Sequence, residues 1–412
     1  MHKKCMFYNL AKIVYNSKDN EQQRLHACRI NNIMKEVPKM AKKKIAILTG
    51  GGDAPGLNAV IYTLVRACHS MMDCEVIGYK FGYRGLYNND FVPLTHESTS
   101  GILHKGGSIL YNSNKDNLFD YLVEENGVMV KKDVSDVAVA NMKQEGVDVL
   151  VVLGGDGTLT SARDFARKGI NVIGVPKTID NDLNSTDSTF GFDTAVNIVT
   201  ENLGRLHTTA ESHHRVLVVE IMGRSAGWIC LHAGIAGSAD VICIPEIPYS
   251  IDGIVKKIDQ RNSQNKPFTI VAVTEGAVEQ DGSAIVGKVV DDSPDSERFG
   301  GVAAYIANRL ESRVKNEVRH VVLGHIQRGG DASPADRILS VRYGAKAAEL
   351  IRDGKFGNMV CLENGQMGSI TLEEVLGSGE TGGISKGGDK VVDPNGDLVK
   401  AAKALGISFA DE

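Results

Sequence analysis

From Lys44 onward the chain alternates short runs of consecutive apolar residues with longer stretches whose apolar residues recur at helical spacing. A run that is apolar at nearly every position marks a strand buried on both faces, as in parallel sheets. Such runs fall at Ile45–Leu48, Glu75–Tyr79, Val149–Leu153, Val172–Val175, Val216–Ile221, Val241–Ile244, Thr269–Val273, Val318–Leu323 and Met359–Leu362. Helices are expected from Leu57 to about His69, and at Phe192–Thr208, Ile251–Arg261, Gly301–Val314 and Ala335–Arg352. The alternation predicts an α/β protein: two doubly wound, Rossmann-like parallel-sheet domains with right-handed crossovers and the active site in the cleft between them.

Three stretches depart from the pattern. Leu94–Lys143 is less regular, and its polar section Asn112–Asn117 reads as a surface loop. Gly377–Gly388 is glycine-rich and reads as irregular. Residues 1–40 are rich in Lys, Asn and Gln and lack an apolar period. Their basic character suits a transit peptide, but Asp19, Glu21 and Glu36 interrupt it. The other reading is an upstream extension that does not fold, with Met40 immediately before the first strand as a natural start.

Composition narrows the partners. The formal net charge of −5 argues against nucleic acid as the main partner. No stretch approaches the roughly eighteen apolar residues of a membrane span. The 7 cysteines (Cys5, Cys28, Cys68, Cys74, Cys230, Cys243 and Cys361) are scattered, odd in number and without a CxxC. They read as reduced, mostly buried thiols of a cytoplasmic protein.

Candidate chemistry gathers at the ends of the strand runs. Gly154-Gly155-Asp156-Gly157-Thr158 follows one of them and Pro176-Lys177-Thr178-Ile179-Asp180-Asn181-Asp182 follows the next. Ligands of open α/β sheets bind beyond the carboxyl ends of strands. Glycines allow a backbone to approach phosphate, and Asp156 beside them could hold magnesium. Asp180 could take a proton from an attacking hydroxyl. The loop Gly50–Gly56 offers a third phosphate-binding turn at a helix start, although neither GxxxxGK[ST] nor a spaced GxGxxG is present. Met222-Gly223-Arg224, Glu275 and His325-Ile326-Gln327-Arg328 end three further strands, while Arg215 and Arg319 stand at strand starts. Arginine suits bidentate recognition of phosphate. Taken together these residues read as a phosphoryl-transfer site without a P-loop.

The set GGDAPG, FGYRGL, GGDGT, PKTIDND, ESHHR, EIMGRSAG, TEG and GHIQRGG, in this order, resembles the phosphofructokinase family across residues 44 to about 365. The resemblance implies phosphoryl transfer to the 1-hydroxyl of fructose 6-phosphate, a glycolytic reaction. It implies Asp180 as general base, with Thr178, Asp182, Lys177, Arg224 and Gly157 in the catalytic set. Asp156 would hold Mg²⁺. Gly52, Tyr83, Asn114, Lys115, Gly155, Asp156, Gly157 and Thr158 would form the ATP side. Thr178, Ile179, Asp180, Met222, Gly223, Arg224, Glu275, His325, Ile326, Gln327 and Arg328 would hold the sugar phosphate. Arg215 and Arg319 would complete the neighbouring site in a homodimer or homotetramer. Residues 41–191 plus 327–376 would form the nucleotide half, and 192–326 plus 377–412 the sugar half.

Within that family Gly at the fourth position of GGDGT goes with ATP and Asp with pyrophosphate, so Gly157 favours ATP. Lys177 points toward pyrophosphate, because lysine before TIDND is the rule in the pyrophosphate enzymes. Two positions depart from the pattern: Asn114 stands where many ATP-dependent members carry arginine, and Tyr62 replaces one of the two effector-site arginines, leaving Arg66. Lipid and NAD kinases also use GGDGT but lack the TIDND and HIQRGG runs. A non-catalytic regulatory subunit would not need to retain Asp156, Asp180, Arg224 and Arg328.

Overall fold

The computed structural model describes residues 42–412 except 281, 283, 290–296 and 378–389. Residues 1–40, with Cys5 and Cys28, and all of the glycine-rich stretch after Gly377 lie outside the described residues. The strands are β1 (Lys43–Thr49), β2 (Cys74–Tyr79), β3 (Phe91–Pro93), β4 (Tyr121–Glu125), β5 (Val128–Lys132), β6 (Val149–Gly154), β7 (Val172–Pro176), β8 (Val216–Ile221), β9 (Val241–Cys243), β10 (Thr269–Thr274), β11 (Val286–Val289), β12 (Glu297–Phe299), β13 (Val318–Val322), β14 (Asn358–Glu363) and β15 (Gln366–Thr371). Between them lie α1 (Leu57–Met71), α2 (Tyr83–Asn88), α3 (Ser135–Gln144), α4 (Asp156–Arg167), α5 (Phe192–His213), α6 (Trp228–Ala236), α7 (Ile251–Ser263), α8 (Val302–Glu311), α9 (Pro334–Asp353), α10 (Leu372–Leu376) and α11 (Asp397–Ala404).

Two sheets carry the fold. The larger runs β15-β14-β7-β6-β1-β2-β3 and the smaller β13-β8-β10-β9. Alternate residues of β1 and β6 serve opposite layers. Ile45, Ile47, Val149 and Val151 pack toward α1 and α9, whereas Ala46, Leu48, Leu150 and Val152 pack toward α4 and α10. The smaller sheet is covered the same way, by α5, α6 and α11 on one face and by α7 and α8 on the other. Burial on both faces is why most of these strands read as continuous apolar runs; β13, at the edge of the smaller sheet, carries Arg319 and His320 and is instead largely exposed.

The larger sheet is not wholly parallel. β3 pairs antiparallel with β2, and β15 pairs antiparallel with β14. β15 is partly polar and half-exposed, and β3 is only three residues long, so no apolar run announced them. The irregular stretch before Lys143 holds the hairpin β4–β5 and helix α3. The five described cysteines are buried and none of them is in a disulfide. Among the described residues no helix is long and apolar enough to cross a membrane.

The strand order fixes where ligands can bind. β1 has β6 on one side and β2 on the other, so the crossovers after β1 and after β6 leave in opposite directions, and the carboxyl ends of these two strands are the expected place for a ligand. Residues 43–412 form one compact unit.

Candidate active site

The floor of the candidate site is built where the loops after β1 and β6 abut. Gly50 N donates to Leu153 O at 2.9 Å. Thr158 wedges between the two loops: a Cβ on Gly50 would lie 2.5 Å from Thr158 Cγ2, and one on Gly154 would lie 2.3 Å from Thr158 Cβ. Only glycine permits that approach. Helix α4 then starts at Asp156 with the Gly155 carbonyl accepting from Leu159 N, so the N–H groups of its first turn have no acceptor within the helix, the arrangement that suits an anion. Tyr83 is buried under this turn and its hydroxyl donates to Thr158 O at 2.8 Å. Asn112 Nδ2 donates to Gly51 O, and Gly51 N donates to Ser113 O, so the loop carrying Asn114 and Lys115 lies beside the first glycine loop.

The loop after β7 carries the carboxylates. Lys177 N donates to Gly154 O at 3.0 Å, which locks the two loops together. Asn181 adopts a φ of 55° and its Oδ1 accepts from Thr189 N, while Thr189 Oγ1 donates to Thr178 O at 2.7 Å. These bonds turn the chain sharply inside the protein. Asp180 is 3 % exposed. Its Oδ2 accepts from Thr178 Oγ1 at 3.2 Å, whereas its Oδ1 is buried without a hydrogen-bond partner. Leaving a buried acceptor unmade costs about 1–3 kcal/mol.

The third wall comes from the smaller sheet. Arg224 sits in the left-handed region at φ 53°, and its N–H donates to Glu275 Oε1 at 3.2 Å. A Cβ on Gly276 would lie 2.0 Å from Arg224 O, so the TEG run needs its glycine to let the arginine loop in. Met222 N donates to Oε1 of the fully buried Gln327, and Gln327 Nε2 donates to Gly324 O. Arg328 reaches back across the cleft and its Nη1 donates to Asp53 O at 3.0 Å. His325 and Ile326 are exposed on the rim.

These groups form one electrostatic cluster. Lys177 is pulled down to about 8 by burial and by Arg328, against the pull of Asp180, Asp182 and Asp53. Asp182 is pushed up to about 8 by burial and by Asp180 and Asp156, with Arg224 opposing. Glu275 is pushed up to about 7 by burial and by Asp180, with the N–H groups of Arg224 and Gly223 opposing. Asp53, Asp156, Asp180, Asp182 and Glu275 thus crowd against Lys177, Arg224 and Arg328. Acidic crowding of this kind suits a divalent cation. Among the described residues no three His, Cys, Asp or Glu side chains make a ready cation cage. Magnesium fits that arrangement, because it commonly takes one or two carboxylates, waters and substrate phosphates.

A Phosphofructokinase family model matches residues 44–351. The chain belongs to the phosphofructokinase family. It is 63% identical over 371 residues to ATP-dependent 6-phosphofructokinase 2 of Clostridium perfringens, covering 90% of this chain and 99% of the relative. It is 44% identical to the ATP-dependent 6-phosphofructokinase of a Chloroflexus aurantiacus strain, with the same coverage. It is also 44% identical, over 80% of this chain and 94% of the relative, to a pyrophosphate–fructose 6-phosphate 1-phosphotransferase of Amycolatopsis methanolica. Among solved structures, the phosphofructokinase of Saccharomyces cerevisiae superposes with a TM-score of 0.70 at 28% identity over 81% of this chain. The match spans 45% of that yeast chain.

Two family positions stand apart from the cluster. Arg215 and Arg319 both lie at Glu317, beside the starts of β8 and β13, with Arg215 Nε 2.5 Å from Glu317 Oε2 and Arg319 Nη2 paired to Glu317 Oε1. Arg224 and Glu275 follow the opposite ends of β8 and β10. Six residues of strand separate the two ends by about 20 Å, so these arginines do not enter their own chain's cleft.

Sequence reasoning did not single out Asp53 or Gly276, although both lie within motifs it quoted. Their roles run through a carbonyl and through the lack of a Cβ, which residue type alone does not announce.

Proposed function

We propose that this chain is an ATP-dependent 6-phosphofructokinase, transferring the terminal phosphoryl group of ATP to the 1-hydroxyl of D-fructose 6-phosphate. The observation that carries this is Asp180: a buried carboxylate with one unpartnered oxygen, set among Lys177, Arg224 and Arg328 at the meeting of three strand-end loops. Asp180 Oδ1 accepts the proton of the 1-hydroxyl as that oxygen attacks. Thr178 holds the other carboxylate oxygen and fixes the orientation. Lys177 and the first N–H groups of α4 face the transferring phosphates. Arg224 and Arg328, with Met222, Gly223, Glu275, His325, Ile326 and Gln327, hold the sugar phosphate. Asp156 would hold Mg²⁺, with Asp182 close to it in the same acidic crowd. Bound there, the ion would neutralise charge on the donor phosphates. Phosphoryl transfer needs little covalent help from a protein, so positioning and charge supply the rate.

Phosphorus NMR of a reaction mixture tests this reading. The expected product carries a new phosphate on C1 of the sugar, together with ADP. No sugar bisphosphate, or a phosphate on another carbon, contradicts it.

The oligomer is part of the proposal. Arg215 and Arg319 are presented on the face away from their own cleft and complete a neighbouring subunit's sugar-phosphate site. Mixing Arg319→Ala subunits with Asp180→Ser subunits should then restore activity that neither has alone, because some hybrid interfaces contain one intact site. Mixed subunits as inactive as the separate variants contradict this arrangement.

Gly276→Ala gives a local test of the sugar wall. The added methyl collides with Arg224 O and must displace the arginine loop. A displaced charge-assisted contact is worth about 1.5–3 kcal/mol, so KM for fructose 6-phosphate should rise by about ten- to a hundredfold with KM for ATP little changed. Steady-state titration of each substrate checks it.

A further inference from the structure

The chain returns to the cleft at Lys390, beyond the residues matched by the family model. Lys390 N donates to Asp182 O at 2.8 Å. Its ammonium donates to Asp187 O at 2.5 Å and Thr186 O at 3.2 Å, further along the same loop. The Lys390 carbonyl accepts from Trp228 Nε1 at 2.7 Å, and the ammonium lies 5.5 Å from the Trp228 ring centroid. Two residues on, Val392 N donates to Glu246 Oε1 at 2.8 Å. That same oxygen accepts from Gly227 N at 2.9 Å, at the start of α6 and three residues after Arg224. Val392 is buried in the core of the smaller sheet.

We infer that residues 390–392 form a strap fixing the Asp180–Asp182 loop against the Arg224 loop, with Lys390 as a positioning residue for phosphoryl transfer. The inference rests on the proposed function. The front of the carboxylate loop is pinned to the larger sheet through Lys177 N and Gly154 O, and Thr178 O is pinned by Thr189. The chain then turns through Asn181 at positive φ, and the Asp182 carbonyl is held by Lys390 N. The other end of the strap is tied to the smaller sheet through Trp228 and Glu246. The proton acceptor and the cation on the opposite wall are thereby held in one frame. Loss of that frame misplaces the base without removing any group that touches the sugar phosphate.

Full-length Lys390→Met, Lys390→Arg and Trp228→Phe test the strap. Methionine keeps the stem and the backbone N–H but removes the ammonium from the loop carbonyls. Lys390→Met should lower kcat by about ten- to a hundredfold, the scale on which small misplacements act. KM for fructose 6-phosphate should move little and the melting temperature by only a few degrees. Trp228 is the chain's single tryptophan, so its emission should shift in the same variant. Lys390→Arg, which can still donate to both carbonyls, should recover most of the lost kcat. Wild-type kcat in Lys390→Met, a loss confined to KM, or no recovery in Lys390→Arg overturns the inference. If Lys390→Met does not fold, Trp228→Phe decides: a severalfold lower kcat supports the strap and an unchanged kcat overturns it. A wild-type chain without phosphofructokinase activity overturns the functional reading, and the strap falls with it, whereas an active wild type with indifferent variants overturns the strap alone.

Discussion

Asp180→Ser is expected to lower kcat by about 10²- to 10⁴-fold, the range that a positioned general base supplies. Binding of fructose 6-phosphate should be nearly unchanged. Proton removal matters in the transition state and not in the ground state, so the loss belongs in kcat. The substitution also removes one carboxylate from an acidic crowd. Asp180 is among the groups that push Asp182 and Glu275 upward, so both should titrate lower in the variant. The fold should tolerate the change, since Asp180 Oδ1 has no partner to lose and serine can still bond to Thr178. Steady-state kinetics together with calorimetric titration of the sugar phosphate check this. A variant with near wild-type kcat removes Asp180 from the role of base.

Gly157→Asp is the second large effect, and it falls on the donor. Gly157 occupies the first turn of α4, next to Asp156, on the helix end that the proposed function assigns to the phosphates. A carboxylate is welcome at a helix N-terminus, so stability should hold or rise slightly. The nucleotide phosphates meet the opposite sign. Two unit charges about 4 Å apart repel by about 4 kcal/mol at an effective dielectric of 20. That is roughly a thousandfold in affinity for one full charge pair, so kcat/KM for ATP should fall by about 10²- to 10³-fold. Pyrophosphate, which has no α-phosphate to place there, should not lose activity in parallel, and Lys177 is already present to serve it. Equal losses for both donors, or retained use of ATP, contradict the role given to Gly157.

Much of this architecture was legible because burial on both faces leaves a plain trace. β6 and β8 are buried at every position, and their sequences, VLVVLG and VLVVEI, are apolar nearly throughout. The candidate site was legible for a related reason. Carboxylates and arginines directly after such runs must lie at strand ends, and the sheet order gathers those ends. What escaped was structure with a weaker trace. The antiparallel edge β15 is half-exposed and carries mixed residues. Its turn signal was nevertheless present: Asn364-Gly365 joins β14 to β15, and Asn126-Gly127 joins β4 to β5, with positive φ at all four residues. Asn-Gly between extended runs is the strongest short-range hairpin signal, and it outweighed the polar composition of the flanking strands. Helix α9 begins one residue earlier than its apolar period suggests, because Ser333 Oγ accepts from Asp336 N and Pro334 fits the first turn. The strap at Lys390 left no trace, since what it holds are loop carbonyls that every residue carries, whatever its type.

The donor decides the account most directly. With fructose 6-phosphate and Mg²⁺ present, kcat/KM is to be measured side by side for ATP and for pyrophosphate in the unmodified protein. ATP is expected to support turnover and pyrophosphate to support little or none. A preference for pyrophosphate would show that Lys177, and not Gly157, governs the donor side, and would contradict the assignment of this chain as the ATP-dependent enzyme.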